Sequence, residues 1–195
     1  MVRELYIKIS PQVYVIAAIM LLAIPFSWLC GWLLAVLIHE LSHCLMLRIC
    51  GINILSVHIG IDGVRLQTGN LSDLQTILCS LAGPAGGLFP LMLADIYPQA
   101  AVCSIVLSIY NLLPVFPLDG GRALRGFSNI LLPTHYAESV CLWMESITLL
   151  AIIIVGLVVT FRWKMGILPL GASALIAIRM QKIKISCKSR TNRVQ

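Results

Sequence analysis

His39 and His43 stand four residues apart with Glu40 between them, in the run His39-Glu40-Leu41-Ser42-His43. On a helix, residues at that spacing project from one face a turn apart, so the two imidazoles could share one divalent metal. A glutamate beside such a pair is placed to accept a proton from water activated at the metal. The chemistry implied is metal-assisted hydrolysis, and a catalytic zinc site needs a third protein ligand and an open fourth position. Asp62, Asp95, Asp119, Glu138, Glu145, His58 and His135 are the candidates for that third ligand.

The elements that must position these groups are unlike those of a soluble domain. Of 195 residues, 59% are hydrophobic and 11% charged, where a soluble chain carries about a quarter charged. With Pro and Gly as punctuation, hydropathy predicts an all-α polytopic membrane protein with six spans, approximately 11 to 29, 31 to 49, 74 to 94, 99 to 118, 137 to 160 and 165 to 180. Residues 1 to 180 would form one membrane-embedded domain, with its first segment kept as an anchor, and 181 to 195 a basic cytoplasmic tail. The motif then falls within the second span, where an intramembrane glutamate costs at least about 2.5 kcal/mol unless it lines a polar site or binds something.

That plan puts twelve of the fourteen Lys and Arg residues on one side, leaving only Arg162 and Lys164 opposite. The positive-inside rule therefore predicts a multi-pass protein with both termini in the cytoplasm. The net charge of +6 is largely topology. The tail, with Arg179, Lys182, Lys184, Lys188, Arg190 and Arg193, suits anionic headgroups. It lacks the aromatic or motif context of a nucleic-acid site. Seven cysteines without C-x-x-C spacing point to neither a disulfide framework nor a cysteine metal site.

Between spans two and three, Ile52, Ile54, Val57, Ile59 and Ile61 approximate alternation, Asp62-Gly63 supplies a turn, and Val64 and Leu66 continue it. This predicts a small membrane-associated β-hairpin. Its unpaired edges must be covered, given a partner strand, or used to pair with a substrate.

Topology narrows the third-ligand candidates. Asp95 falls on the opposite side, and Glu145 lies inside span five with no companion motif. His39 and His43 sit nine and five residues before Arg48, about 13 and 8 Å from the cytoplasmic end of their helix. Asp119 closes span four at that same end, in Asn111-Leu112-Leu113-Pro114-Val115-Phe116-Pro117-Leu118-Asp119-Gly120-Gly121-Arg122. Two prolines break the helix there and two glycines free the backbone around the carboxylate. Taken alone, Asp119-Gly120-Gly121 reads as an exit turn; the histidines at the same depth favour a ligand.

His39-Glu40-x-x-His43 together with Asn111-x-x-Pro-x-x-Pro-Leu-Asp119-Gly-Gly resembles the paired signature motifs of the site-2 protease family of intramembrane metalloproteases. The resemblance runs from about Met1 to His135, and Ala82-Gly83-Pro84-Ala85-Gly86-Gly87 is similar to the family's small-residue stretch, read here as helix packing. It implies one Zn2+ per chain held by His39, His43 and Asp119, with Glu40 as catalytic base. Asn111 would orient substrate or stabilise an oxyanion, or else cap the broken helix. The implied substrate is a transmembrane protein, cut in or near its membrane segment in a bacterial cell membrane, with a regulatory membrane partner as a further expectation. The cytoplasm-facing site and six-span plan are most similar to the stage IV sporulation protein FB-like subgroup, which points to a sporulation sigma-factor precursor. Two rivals stand beside this reading: a noncatalytic pseudoprotease that binds membrane segments, and a metal transporter using the same donors.

Overall fold

Prolines set the helix boundaries of the N-terminal half. The computed structural model describes residues 6–60 and 63–163, beginning with strand β1 (Tyr6–Ile9) and helix α1 (Pro11–Ala23). Pro11 opens α1, where a missing N–H costs nothing. Ile24 is extended, as a residue before proline tends to be, and α2 then runs Phe26–Ile49. The expected first span, 11 to 29, therefore divides at Pro25. Gly31, read as punctuation, lies inside α2 because it is buried against a neighbouring helix.

Helix α2 ends in a Schellman motif. Gly51 at φ 71° lets its N–H reach the Arg48 carbonyl and the Ile52 N–H reach that of Leu47. The chain leaves directly into strand β2 (Ile54–Gly60) and strand β3 (Gly63–Thr68). The predicted hairpin is present, but it belongs to a three-stranded sheet of order β1-β2-β3. β1 pairs parallel with β2, and β2 antiparallel with β3. One expected edge of the hairpin is thus occupied by the chain's own N-terminal strand.

A capping box opens α3 (Asp73–Gly87). The Gln75 N–H donates to Ser72 Oγ and the Ser72 N–H to Gln75 Oε1. A 3₁₀ turn, Phe89–Leu93, extends it, and α4 follows over Pro98–Leu112. The expected fourth span to residue 118 stops at Leu112, since Pro114 and Pro117 cannot continue a helix. The segment expected as a loop from 119 to 136 instead contains α5 (Asp119–Leu131), and α6 covers Thr134–Trp163.

Phe26–Ile49, Asp73–Leu93 and His135–Val158 are long and apolar enough to cross a membrane; α1 and α4 are shorter apolar helices. The expected sixth span and the basic tail lie outside the described residues.

Contacts divide the chain into two compact units, residues 1–112 and 113–195. In the first, α2 packs on α3 and α4. The interior of this unit is small: Gly31, Ala35, Ala100, Ala101, Ser104 and Ser108 are all buried. A Cβ added at Gly31 would lie 2.9 Å from the Ala100 nitrogen, so α2 and α4 touch backbone to backbone. Large apolar side chains point outward, Leu22 being 90% exposed. Small residues inside and leucines outside is the packing of helices whose surroundings are lipid.

In the second unit α5 packs on α6. Gly120, Gly121, Ala123, Gly126 and Ser128 form the buried face of α5, and Arg122, Arg125 and Asn129 its exposed one. The Cys141 thiol on α6 donates to Ser128 Oγ across that contact, at 3.7 Å.

Candidate metal centre

His39 and His43 lie on consecutive turns of α2, on the side packed against α3. Their rings meet edge to face, 84° apart in plane, with the two Nε2 atoms 3.2 Å apart. Two nitrogens bound at about 2.0–2.1 Å to one tetrahedral zinc stand about 3.3 Å apart. The pair therefore has the spacing of two ligands on one ion.

The tautomer of His43 is set by α3. His43 Nδ1 is 2.7 Å from the Cys79 carbonyl, so Nδ1 carries the hydrogen and donates it. Nε2 is left with its lone pair turned to His39, the arrangement a metal-binding imidazole needs. His39 is 4% exposed, and the position of a Gly87 Cβ would be 3.3 Å from its Nδ1. A Cβ at Gly83 would overlap the His43 ring, and one at Gly86 the Ser42 hydroxyl. The small-residue stretch of α3 is thus more than general packing; it is the wall against which the motif helix lies.

Glu40, half-buried, follows His39 on α2. Asp119 is the first residue of α5 and 6% exposed. A helix N-terminus favours a carboxylate there. His39 and His43 of the first unit thus offer two imidazoles, and Asp119 of the second a carboxylate, each with one possible ligand atom for a metal ion. Two imidazoles and a carboxylate are a donor set that zinc accepts.

Asp119 is delivered by the segment that precedes it. Val115 is 1% exposed, the Leu118 N–H bonds the Val115 carbonyl at 2.9 Å, and the Phe116–Pro117 peptide is cis. A Cβ at Gly121 would overlap the backbone of Val115 and Phe116, so the first turn of α5 sits directly on this segment. Asn111 donates from Nδ2 to the Leu107 carbonyl at 3.0 Å, which commits one amide hydrogen to its own helix.

The remaining sequence candidates go elsewhere. Asp95, Glu138 and His135 are exposed. His58 lies in β2 opposite Arg65, and Asp62 is outside the described residues. Glu145 accepts a hydrogen bond from the Phe116 N–H at 3.3 Å. The Cys79 carbonyl was not expected beside the motif; Gly83 belongs to the small-residue run that the sequence reading gave to helix packing.

Comparison with known proteins bears on the same residues. The model of peptidase family M50 matches residues 89–154. Rip3 of two Mycobacterium tuberculosis strains, a protein named as a zinc metalloprotease, is 31% identical over 114 residues, 49% of this chain. The chain covers only 29% of the length of that relative. The Site-2 Protease from Methanocaldococcus jannaschii superposes with a TM-score of 0.57 at 17% identity, over 93% of each chain. The comparisons support peptidase family M50. The stretch matched to the M50 model includes Asn111 and Asp119, while His39, Glu40 and His43 lie before it. The archaeal structure adds the fold.

Proposed function

We propose that this chain is an intramembrane zinc metallopeptidase of the site-2 protease type, hydrolysing a peptide bond in or near a transmembrane segment of a membrane protein. The observation that carries the proposal is the His39–His43 pair, its Nε2 atoms 3.2 Å apart, beside Glu40 on a helix whose outer face is apolar; Asp119 is the third donor of the proposed set.

In this reading His39, His43 and Asp119 hold one zinc ion. Bound there, zinc supplies Lewis-acid polarisation of the scissile carbonyl and of water. Glu40 takes the proton from the attacking water and returns it to the leaving amine. Cys79, through its carbonyl, keeps His43 in the ligating tautomer. Asn111 serves as an amide donor toward substrate, with its second Nδ2 hydrogen.

Substrate must unwind to be cut, because helical carbonyls are hydrogen-bonded and shielded. An unwound strand can pair with a sheet edge. With β1 on one side of β2, the edge proposed for that pairing is β3. Both termini are assigned to the cytoplasm on the charge distribution. The FB-like subgroup, with a sporulation sigma-factor precursor as substrate, is proposed from the cytoplasm-facing site and the six-span plan read from the sequence.

The test is purified Glu40→Gln protein, which should hold zinc stoichiometrically yet leave a membrane substrate intact; undiminished cleavage refutes the assignment. Asp119→Ala should lose zinc to a chelator that wild-type protein resists. Mass spectrometry of membrane proteins that accumulate uncleaved in the Glu40→Gln strain would name the substrate. Metal flux in proteoliposomes without proteolysis would turn the reading to transport.

A further inference from the structure

Glu145 is an acidic side chain within a helix able to cross a membrane, His135–Val158. Such a group is costly in that setting and calls for a partner. Its partner is a backbone amide: Oε1 of Glu145 accepts from the Phe116 N–H at 3.3 Å. Phe116 lies between Pro114 and Pro117, beyond the end of α4, in a stretch where two of four residues have no N–H to give. Its own N–H therefore has no helical carbonyl to bond.

The same segment is gripped from α5. The Arg125 guanidinium stands 4.6 Å from the centre of the Phe116 ring, and the backbone of Gly121 lies against Val115 and Phe116. α6 and α5 thus hold the Val115–Phe116 backbone at two points, three and four residues before Asp119.

We infer that Glu145 is a positioning residue, an intramembrane clamp on the Phe116 amide that fixes the approach of Asp119 and so sets how tightly the chain holds zinc. This rests on the reading of Asp119 as a zinc ligand. Groups that orient a metal ligand typically change affinity about 10–100-fold when removed.

The experiment is chelator competition for zinc on the purified full chain as wild type, Glu145→Gln, Glu145→Leu and Asp119→Ala. Gln keeps an acceptor oxygen and should bind close to wild type, while Leu, which has none, should weaken binding about 10–100-fold. Wild-type affinity in Glu145→Leu alongside a weakened Asp119→Ala overturns the clamp and leaves the zinc site standing. Wild-type affinity in Asp119→Ala overturns the ligand assignment and the clamp with it. Equal loss in Gln and Leu also overturns it, since charge and not the hydrogen bond would then matter. Should Glu145→Leu fail to fold, hydrogen exchange at Phe116 in the zinc-free protein decides: protection in wild type and Glu145→Gln supports the clamp, and exchange at the rate of an unstructured peptide overturns it.

Discussion

A single methyl group at Gly83 would occupy space that the His43 imidazole holds. Gly83→Ala must push that ring off the Cys79 carbonyl or separate α2 from α3, and overpacking of this kind costs about 1–3 kcal/mol. The expected outcome is loss of zinc to a chelator with helix content by circular dichroism unchanged; a variant that retains zinc as wild type does would show that α3 is not the wall of the site. His39, Glu40 and His43 were legible in the sequence because their relation is local, one helical turn. Asp119 was legible through the prolines and glycines around it. The supports were not: the Cys79 carbonyl has no residue signature, and Glu145 meets an amide 29 positions away. The Asn111 amide bonds the Leu107 carbonyl within its own helix and keeps a second hydrogen for another acceptor.

Among the elements, α2 and α4 meet backbone to backbone in the first unit. Gly31→Leu places a branched side chain where the Ala100 backbone stands, with no flexible neighbour to yield. It should abolish recovery of monodisperse protein, and Gly31→Ala should lower thermal stability by less; a Leu variant melting like wild type would contradict the packing. Hydropathy located most of the helices but misplaced their ends, since it treats Gly31 as a break and overlooks Pro25. Asp119-Gly120-Gly121 has the composition of a turn, yet it opens α5 because Gly121 is needed where the preceding segment comes in. The hairpin shows the reverse case. The alternating residues change phase between Ile54 and Val57, and the pairing of β2 with β3 is irregular there, between Ile54 and Ser56. The third strand escaped notice because four residues near the start of a chain carry too little pattern to be read as a strand.

For the molecule as a whole, the zinc reading and the packing make separable claims. Helix contacts in each unit are made by side chains and backbone, so stripping metal with a chelator should end proteolysis while leaving far-UV circular dichroism in place, and added zinc should restore cleavage. Collapse of helix content on chelation would instead make the ion part of the fold. Orientation is tested by labelling single cysteines placed near each terminus with a membrane-impermeant reagent, which should react only from the cytoplasmic face. The distribution of residue sizes, with glycine, alanine and serine making up most of the interior and most leucines and isoleucines facing outward, also determines how this chain tolerates change. In a soluble enzyme a mutational scan finds its lethal positions at large buried hydrophobes. Here many outward-facing leucines should accept other apolar residues freely, and the intolerant positions should be small residues such as Gly31, Gly83 and Gly121, where an added carbon meets backbone or the His43 ring.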